Sequence, residues 1–183
     1  MNILLTCAGR RNYLVDYFQQ ALSGKGTVFA ANSSEHSTAM IVAEKGFVVP
    51  SIYDPNYVDV LINICQENKI ESIIPLFDLE LPILASEIDK FKKVGISVIV
   101  SSPTIVEICL DKLKTIQFLE NIGIKTPRTF INLNETLKAL GLGKIQFPLI
   151  IKPRWGTGSI GLNEANDETE LRFFYRRSFE NIH

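Results

Sequence analysis

A glycine-rich segment that begins with a lysine is the part of this sequence best suited to bind a polyphosphate. Lys152 ends the apolar run 147–151, and Gly156, Gly158 and Gly161 follow it. Glycines let backbone N–H groups approach phosphate oxygens closely, and a lysine at the adjoining strand end neutralises phosphate charge. The pattern differs from a Walker A motif, because no Gly-Lys-Ser/Thr sequence opens a helix here. The same glycines also fit a solvated hairpin turn, so their spacing alone leaves both interpretations open.

A second lysine stands at a predicted helix start. Asp111 has the residue type of an N-cap, and Lys112 follows it. Taken alone, Lys112 has the features of an ordinary exposed lysine. The segment 123–127, Gly-Ile-Lys-Thr-Pro, is predicted to end this helix, because glycine followed by proline usually does so. The predicted buried face of the helix consists of Leu113, Ile116, Leu119 and Ile122.

The first hundred residues alternate short apolar runs with amphipathic helical patterns. Strands this apolar bury both faces, which predicts a parallel sheet with right-handed crossovers and a Rossmann-like α/β domain. The predicted strands are 3–6, 27–31, 47–49, 72–75 and 96–100. Asp54 and Pro55 are predicted to open the second long helix as N-cap and N1. The predicted helices bury Leu14, Tyr17, Phe18, Ala21 and Leu22, then Val58, Leu61, Ile62 and Cys65, and finally Leu81, Leu84, Ile88 and Phe91.

The regular alternation of strand and helix patterns ends after Ser101. We predict a domain boundary between Ser101 and Asp111, which gives a first domain of residues 1–105 and an incomplete second part of residues 106–183. The second part is predicted to be α+β. Its predicted elements are a short helix from Ser102-Pro103, strands at 129–131 and 147–151, a helix near 135–140, and a last helix opened by a capping box of Asp167 and Glu170.

Polar residues follow two of the predicted parallel strands, at the sheet edge where open α/β sheets bind ligands. Gly9, Arg10 and Arg11 follow the first strand and fit a carboxylate or other anion, although a helix start fixed by local packing explains them equally well. Asp78 and Glu80 follow the fourth strand and fit an amine-bearing substrate, with a helix cap at Asp78 as the slightly favoured alternative. Cys7 lies near the same edge and is interpreted as a packed thiol.

Composition excludes several classes of function. The chain has 183 residues and a formal net charge of −1, so nothing indicates a basic surface for nucleic acid. The apolar runs are too short to span a bilayer, and the N-terminus lacks the features of a signal peptide. The 3 cysteines are odd in number and widely spaced, which favours reduced thiols in a cytoplasmic protein over disulfides or a metal site.

Taken in order, these motifs resemble the ATP-grasp superfamily, and within it proteins like the carbamoyl-phosphate synthase large chain. The resemblance covers nearly the whole chain. In the first part it rests on Leu4-Leu5-Thr6-Cys7-Ala8-Gly9-Arg10-Arg11 and Ile74-Pro75-Leu76-Phe77-Asp78-Leu79-Glu80-Leu81, which look like segments of the pre-ATP-grasp domain. In the second part it rests on Asp111-Lys112, on 123–127, on 147–153 and on the glycines from 156 to 161.

The resemblance implies an ATP-dependent ligase in which ATP phosphorylates a carboxylate or bicarbonate and an amine attacks the acylphosphate. Lys152 and Lys112 match lysines that contact the ATP phosphates in the family. The loop that folds over the triphosphate matches Gly156, Thr157, Gly158, Ser159 and Gly161. Two lysines and the loop amides would then stabilise the charge that shifts during phosphoryl transfer. No catalytic residue is assigned.

The chain is shorter after Lys152 than this family pattern requires. We therefore expect a truncated protein whose adenine-binding hinge, Mg²⁺ ligands and catalytic arginine come from a downstream segment. The nearby carboxylates are interpreted as helix caps and dipole partners rather than metal ligands; they are Glu164, Asp167, Glu168 and Glu170. Besides a small-molecule substrate, expected partners are a complementing polypeptide or a second copy covering apolar surface near 147–151 and the last helix. The alternative function is a non-catalytic Rossmann-like module that binds a metabolite or a partner.

Overall fold

The computed structural model describes the backbone of residues 1–180 and the side chains of residues 1–178. The chain divides into two compact units, Met1–Glu107 and Ile108–His183, and the division falls within one helix, Pro103–Leu110. The sequence pattern predicts no domain-closing strand in residues 176–183, and the last three of these, including His183, lie outside the described part, so the prediction has no test there. The domain boundary proposed from the sequence stays a prediction.

The first unit is built on a five-stranded parallel sheet. Its strands are β1 (Asn2–Thr6), β2 (Val28–Asn32), β3 (Gly46–Val48), β4 (Ile70–Pro75) and β5 (Ser97–Val98). The strand order is β3-β2-β1-β4-β5, and every pair is parallel. β1 lies in the middle, with Leu5 aligned with Ala30 on β2 and with Ile74 on β4. The predicted Rossmann-like α/β sheet is therefore confirmed.

Helices cover both faces of this sheet. They are α1 (Asn12–Leu22), α2 (Thr38–Val42), α3 (Tyr57–Glu67), α4 (Leu81–Ser86) and α5 (Ile88–Lys93); a 3₁₀ helix at Asp78–Glu80 precedes α4, and α6 (Pro103–Leu110) follows β5. Side chains alternate between the faces along β1, as the period of a strand requires. Leu4 packs in one core cluster with residues of α3, α4 and α5, whereas Ile3 and Leu5 pack in another with residues of α1 and α2.

Three details of the helix predictions for the first unit were wrong. On α1, Tyr17 and Ala21 are exposed, and Val15 is the fully buried residue. α3 begins at Tyr57, two residues later than predicted: the Asp54 carboxylate accepts from the Asn56 amide at 2.8 Å, as a cap does, but it does so in a turn that precedes the helix. The single helix predicted across Leu81 to Phe91 is divided into α4 and α5.

The second unit combines helices with an antiparallel hairpin. Its elements are α7 (Lys112–Asn121), α8 (Leu133–Gly141), β6 (Leu149–Ile151), β7 (Asn163–Ala165) and α9 (Glu168–Glu180). Leu149 pairs with Ala165, and Ile151 pairs with Asn163. Asp167 accepts from the Glu170 amide at 2.9 Å, whereas the Glu170 carboxylate reaches the Asn166 amide at 2.7 Å. The cap of α9 is thus close to the predicted capping box, but its reciprocal bond lies one residue earlier.

Two predictions for the second unit were wrong. Residues 129–131, which the structure describes, form no strand, and β7 pairs with β6 instead. The predicted face of α7 is also less buried than expected: Leu113, Ile116 and Leu119 are only partly buried, and the neighbouring Ile122 is 57% exposed. Within the described part of both units, no helix has the length and apolar character needed to cross a membrane.

Candidate functional site

The glycine-rich segment is the connection between β6 and β7. Two glycines are required by its geometry: Gly158 has a left-handed φ of 64°, and a Cβ added to Gly161 would lie 2.9 Å from Pro153 Cγ. Ser159 also has a positive φ, of 59°. The carbonyl of Thr157 accepts from the Ile160 amide at 3.3 Å, which closes a turn at the tip. The hairpin interpretation of the sequence therefore describes the backbone correctly, and it is compatible with phosphate binding.

Lys112 reaches this loop from the start of α7. Its backbone amide donates to the Arg154 carbonyl at 3.2 Å, and its Nζ donates to the Gly156 carbonyl at 3.0 Å. The structure thus brings together two of the features that the sequence singled out, although they are far apart along the chain. A lysine that was unremarkable by itself has its ammonium group at the base of the glycine-rich loop.

Asp111 also connects the start of α7 with the base of the loop, whereas the sequence predicted it only as a helix cap. Its Oδ1 accepts from the amides of Leu113 at 3.0 Å and Lys114 at 3.3 Å, which confirms the cap. The carboxylate also binds Arg154 through two hydrogen bonds, from Nε at 2.8 Å and from Nη2 at 2.6 Å. The Arg154 guanidinium holds the pKa of Asp111 at about 2, helped by the two amides. Only 3% of Asp111 is exposed.

Trp155 lies directly beside this ion pair. The Arg154 guanidinium stands 4.6 Å from the centre of the indole ring, a cation–π distance. The ring is 61% exposed, so Arg154 covers only part of it. Trp155 is the only tryptophan of the chain, which makes its fluorescence a specific report on the base of the loop.

The remaining predicted phosphate ligands lie along the same connection. Lys152 follows β6 directly, is exposed, and makes no hydrogen bond or ion pair with the described side chains. Within the described residues, the amides of Gly158 and Ser159 donate no hydrogen bond to the protein. Free amides on positive-φ residues near a lysine are the donor set that a polyphosphate requires, so these residues fit ATP. Among the side chains of residues 1–178, no group of three or more His, Cys, Asp or Glu is placed to hold a metal ion.

The first unit carries the other candidate residues at the carboxyl ends of β1 and β4. Gly9 has a φ of 54°, and its carbonyl accepts from the Ser37 hydroxyl at 2.6 Å and from the Ala39 amide at 3.2 Å. The Arg11 guanidinium donates to the Cys7 carbonyl at 3.4 Å, whereas Arg10 is exposed. Local packing therefore accounts for Gly9 and Arg11, and Arg10 retains an exposed charge.

The two carboxylates after β4 have different environments. Asp78 is exposed and is the first residue of the 3₁₀ helix, rather than the cap that the alternative interpretation favoured. Glu80 has no exposed surface, and its Oε1 accepts from the Tyr57 hydroxyl at 2.6 Å. A carboxyl group without exposed surface does not contact an external amine, so the structure gives Glu80 a place in the core instead. Its role in substrate binding stays without support, whereas that of Asp78 stays a prediction.

Glu80 is the centre of a buried polar cluster that the sequence did not reveal. Burial raises the pKa of Glu80, although Thr6, Tyr57 and Cys7 lower it in part. In the described part of the chain, Thr6 Oγ1 and Glu80 Oε2 are buried without a hydrogen-bond partner. Burial, together with the neighbouring Glu80, also raises the pKa of the Cys7 thiol to about 12. Cys7 is thus protonated at neutral pH, which fits a packed thiol rather than a nucleophile.

Comparison with known proteins assigns the chain to a family. Residues 3–99, which include nearly the whole sheet of the first unit, match the family described as "PylC-like, N-terminal domain". The chain belongs to this family. It is also a member of the ATP-grasp superfamily, as the order of its motifs indicated, and the family match corresponds to the pre-ATP-grasp domain.

The relatives of this PylC-like chain extend the match beyond its first unit. It is 27% identical over 180 residues to the mitochondrial arginine-specific large chain of carbamoyl phosphate synthase from Neurospora crassa, covering 93% of this chain and 15% of the relative. It is 38% identical over 64 residues to a D-alanine–D-alanine ligase of Pseudomonas entomophila, covering 35% of this chain and 20% of that protein.

A solved structure has the same fold. The biotin carboxylase domain of the 2-oxoglutarate carboxylase from Hydrogenobacter thermophilus, crystallised with MgADP, ADP and bicarbonate, superposes with a TM-score of 0.68. The sequence identity is 18%, and the superposition covers 98% of this chain and 40% of that domain. The PylC-like chain therefore spans less than half the length of each of these three proteins.

Proposed function

We propose that this chain forms the nucleotide-phosphate-binding part of an ATP-dependent ligase of the carboxylate–amine type. The observation that carries the proposal is the hydrogen bond from Lys112 Nζ to the Gly156 carbonyl at 3.0 Å. It joins the lysine of the helix start to the glycine-rich loop within one compact unit. The ligase names of the relatives and the ADP of the superposed carboxylase domain support the same interpretation.

The residues of the chain have separate roles in this proposal. Lys152 and Lys112 bind phosphate oxygens and stabilise their negative charge. The free amides of Gly158 and Ser159 donate to further phosphate oxygens, and the loop excludes water when it covers them. ATP bound with Mg²⁺ supplies the phosphoryl group that activates a carboxylate or bicarbonate for attack by an amine.

Substrate and partner binding are proposed for two other surfaces. Arg10 and Asp78 are exposed charges that follow two paired strands, since Thr6 of β1 aligns with Pro75 of β4. They suit the carboxylate and amine groups of a small substrate. Ile150 of β6 is 55% exposed, which supports contact with a complementing polypeptide or a second copy.

The second candidate is a module that binds a metabolite without catalysis. The observation in its favour is the same pair of exposed charges, because they lie on the complete parallel sheet and need nothing from the second unit. Binding of a small amino acid that is independent of ATP would favour this candidate.

Titration with ATP tests the proposed phosphate site. Calorimetry with and without Mg²⁺ is expected to detect binding to the wild-type chain. Lys152→Ala and Lys112→Ala are each expected to weaken binding by about tenfold, because each removes a charge-assisted contact to phosphate. Lys138→Ala is the matched control, since Lys138 is exposed on α8 in the same unit. Tight ATP binding that neither variant changes would contradict the site.

A further inference from the structure

Three contacts connect residues 111–112 with residues 154–156, and only one of them uses the ammonium group of Lys112, which is the group proposed to bind phosphate. The Asp111 carboxylate holds the Arg154 guanidinium, the Lys112 amide holds the Arg154 carbonyl, and Lys112 Nζ holds the Gly156 carbonyl. The first two contacts attach the base of the loop to the start of α7. The third uses the Lys112 ammonium group, which can donate to a phosphate oxygen instead of the Gly156 carbonyl.

We propose that Asp111 and Arg154 are positioning residues for the nucleotide phosphates. They hold the base of the loop against α7 while Lys112 exchanges the Gly156 carbonyl for a phosphate oxygen. This inference rests on the proposed function. It gives a role in that site to Asp111 and Arg154, two residues that do not themselves bind phosphate.

The environment of Asp111 makes it suited to this role. The residue is 3% exposed and accepts hydrogen bonds from two α7 amides as well as from Arg154. A carboxylate held from both sides has one orientation, and the two-pronged bond transmits that orientation to the guanidinium. Arg154, Trp155 and Gly156 are consecutive, so fixing Arg154 restricts the position of the Gly156 carbonyl. The position of Lys112 Nζ, which donates to that carbonyl, is restricted with it.

The Asp111–Arg154 pair differs from an exposed ion pair in the same unit, Glu168–Arg172. Arg172 binds Glu168 on α9 through Nε at 2.9 Å and Nη2 at 2.6 Å, distances similar to those of the Asp111 pair. However, the Glu168 side chain is 58% exposed, and both partners lie on one helix. Exposed pairs of this kind contribute little, so the Glu168 pair is a matched control of the same chemistry.

Two substitutions test the positioning role. Asp111→Asn keeps the shape and one oxygen for the α7 cap but loses the charge. Arg154→Lys keeps the charge but cannot bind both carboxylate oxygens in a planar fork. Each is expected to weaken MgATP binding to the 183-residue chain by about tenfold. Each is also expected to change the emission of Trp155 and its quenching by acrylamide before ATP is added, because the guanidinium over the ring moves in Asp111→Asn and is absent in Arg154→Lys.

Glu168→Gln is expected to match the wild type in both measurements. A folded Asp111→Asn variant with wild-type ATP affinity and wild-type Trp155 emission would overturn the proposal. If that variant does not fold, Arg154→Lys decides the outcome, because it leaves the α7 cap intact. ATP binding that is weakened by Lys152→Ala but not by either positioning variant would overturn this inference alone. Absence of ATP binding by the wild type would overturn the proposed function and this inference together.

Discussion

Among the described side chains, each unit buries one carboxylate, and the pKa values of these two groups are shifted in opposite directions. Glu80 in the first unit and Asp111 in the second are 0% and 3% exposed. Burial raises the pKa of Glu80, whose partner is the neutral hydroxyl of Tyr57. The guanidinium of Arg154 lowers the pKa of Asp111 to about 2.

The difference shows that burial raises the pKa of a carboxyl group in this protein unless a charged partner outweighs it. Without a nearby cation, desolvation favours the neutral acid, and Glu80 can remain in the core of a parallel sheet. With a guanidinium held in a fork, the carboxylate stays ionised and fixes its partner in place. The first arrangement stabilises a core, whereas the second can orient a loop for binding.

The largest expected effect in this comparison comes from removing the charged carboxylate. Asp111→Ala is expected to lower the free energy of unfolding by about 2 kcal/mol, because the α7 cap and the hydrogen bonds to Arg154 are lost together. Urea unfolding followed by Trp155 fluorescence measures the change in the second unit. Glu168→Ala, which removes the exposed pair of α9, is expected to change it by less than about 0.5 kcal/mol. Equal effects of the two substitutions would contradict the distinction between the pairs.

A smaller effect of opposite sign is expected from neutralising the other carboxyl group. Glu80→Gln should raise the stability at neutral pH by about 1 kcal/mol, since an amide keeps the Tyr57 hydrogen bond and, unlike the carboxylate, needs no proton when it enters the core. A group with a raised pKa in the folded state lowers stability as pH increases from its ordinary value of 4.5 towards the folded value. Chemical unfolding at several pH values should therefore show a gain that disappears near pH 4.

The exposed Glu44 provides the control for this experiment, because Glu44→Gln changes the same charge at the surface. A stabilisation that persists at pH 4, or one that Glu44→Gln reproduces, would show that burial of Glu80 is not its cause.

The smallest expected effect is the loss of stability at acidic pH that follows from protonation of Asp111 in its pair with Arg154. A group with a lowered pKa contributes stability that is present above its ordinary value of 3.8 and is lost as pH falls towards about 2. Unfolding of the second unit should become easier between pH 4 and pH 3 in the wild type, as followed by Trp155. Asp111→Asn should lack this dependence. If stability falls equally with decreasing pH in both proteins, other carboxylates cause the loss of stability at acidic pH.

The sequence predicted the parallel sheet well because its information is local. Each strand is a short apolar run between helical patterns, and five such runs correspond to the five observed strands. Exact helix starts were harder. Asp54 and Pro55 have the residue types of a helix start, yet the Asp54 carboxylate stabilises a turn, and the helix begins at Tyr57.

The pattern failed in the second unit where pairing and packing are not local. Residues 129–131 have strand-forming side chains, but β6 pairs with residues 163–165 instead. Ile122 fits the apolar period of α7 and is nevertheless exposed. Periodicity shows which face of a helix is apolar, but it does not show that anything packs against that face.

The candidate site was predicted in part. Lys112, Lys152 and the glycines were recognised by their order along the chain, and the structure places Lys112 at the loop. Arg154 was not recognised, because its partner Asp111 is 43 residues away and no local pattern links them. The buried bond between Tyr57 and Glu80 was missed for the same reason.

Amide chemical shifts of the isotope-labelled chain during MgATP titration test the central claim most directly. The account predicts saturable shift changes at Lys112, at Lys152 and along the loop from Gly156 to Gly161, together with a change at the Trp155 indole N–H. The carboxyl ends of β1 and β4 should change far less, including the residues near Arg10 and Asp78. Changes confined to those strand ends, or no saturable change in the loop, would contradict the assignment of the phosphate site.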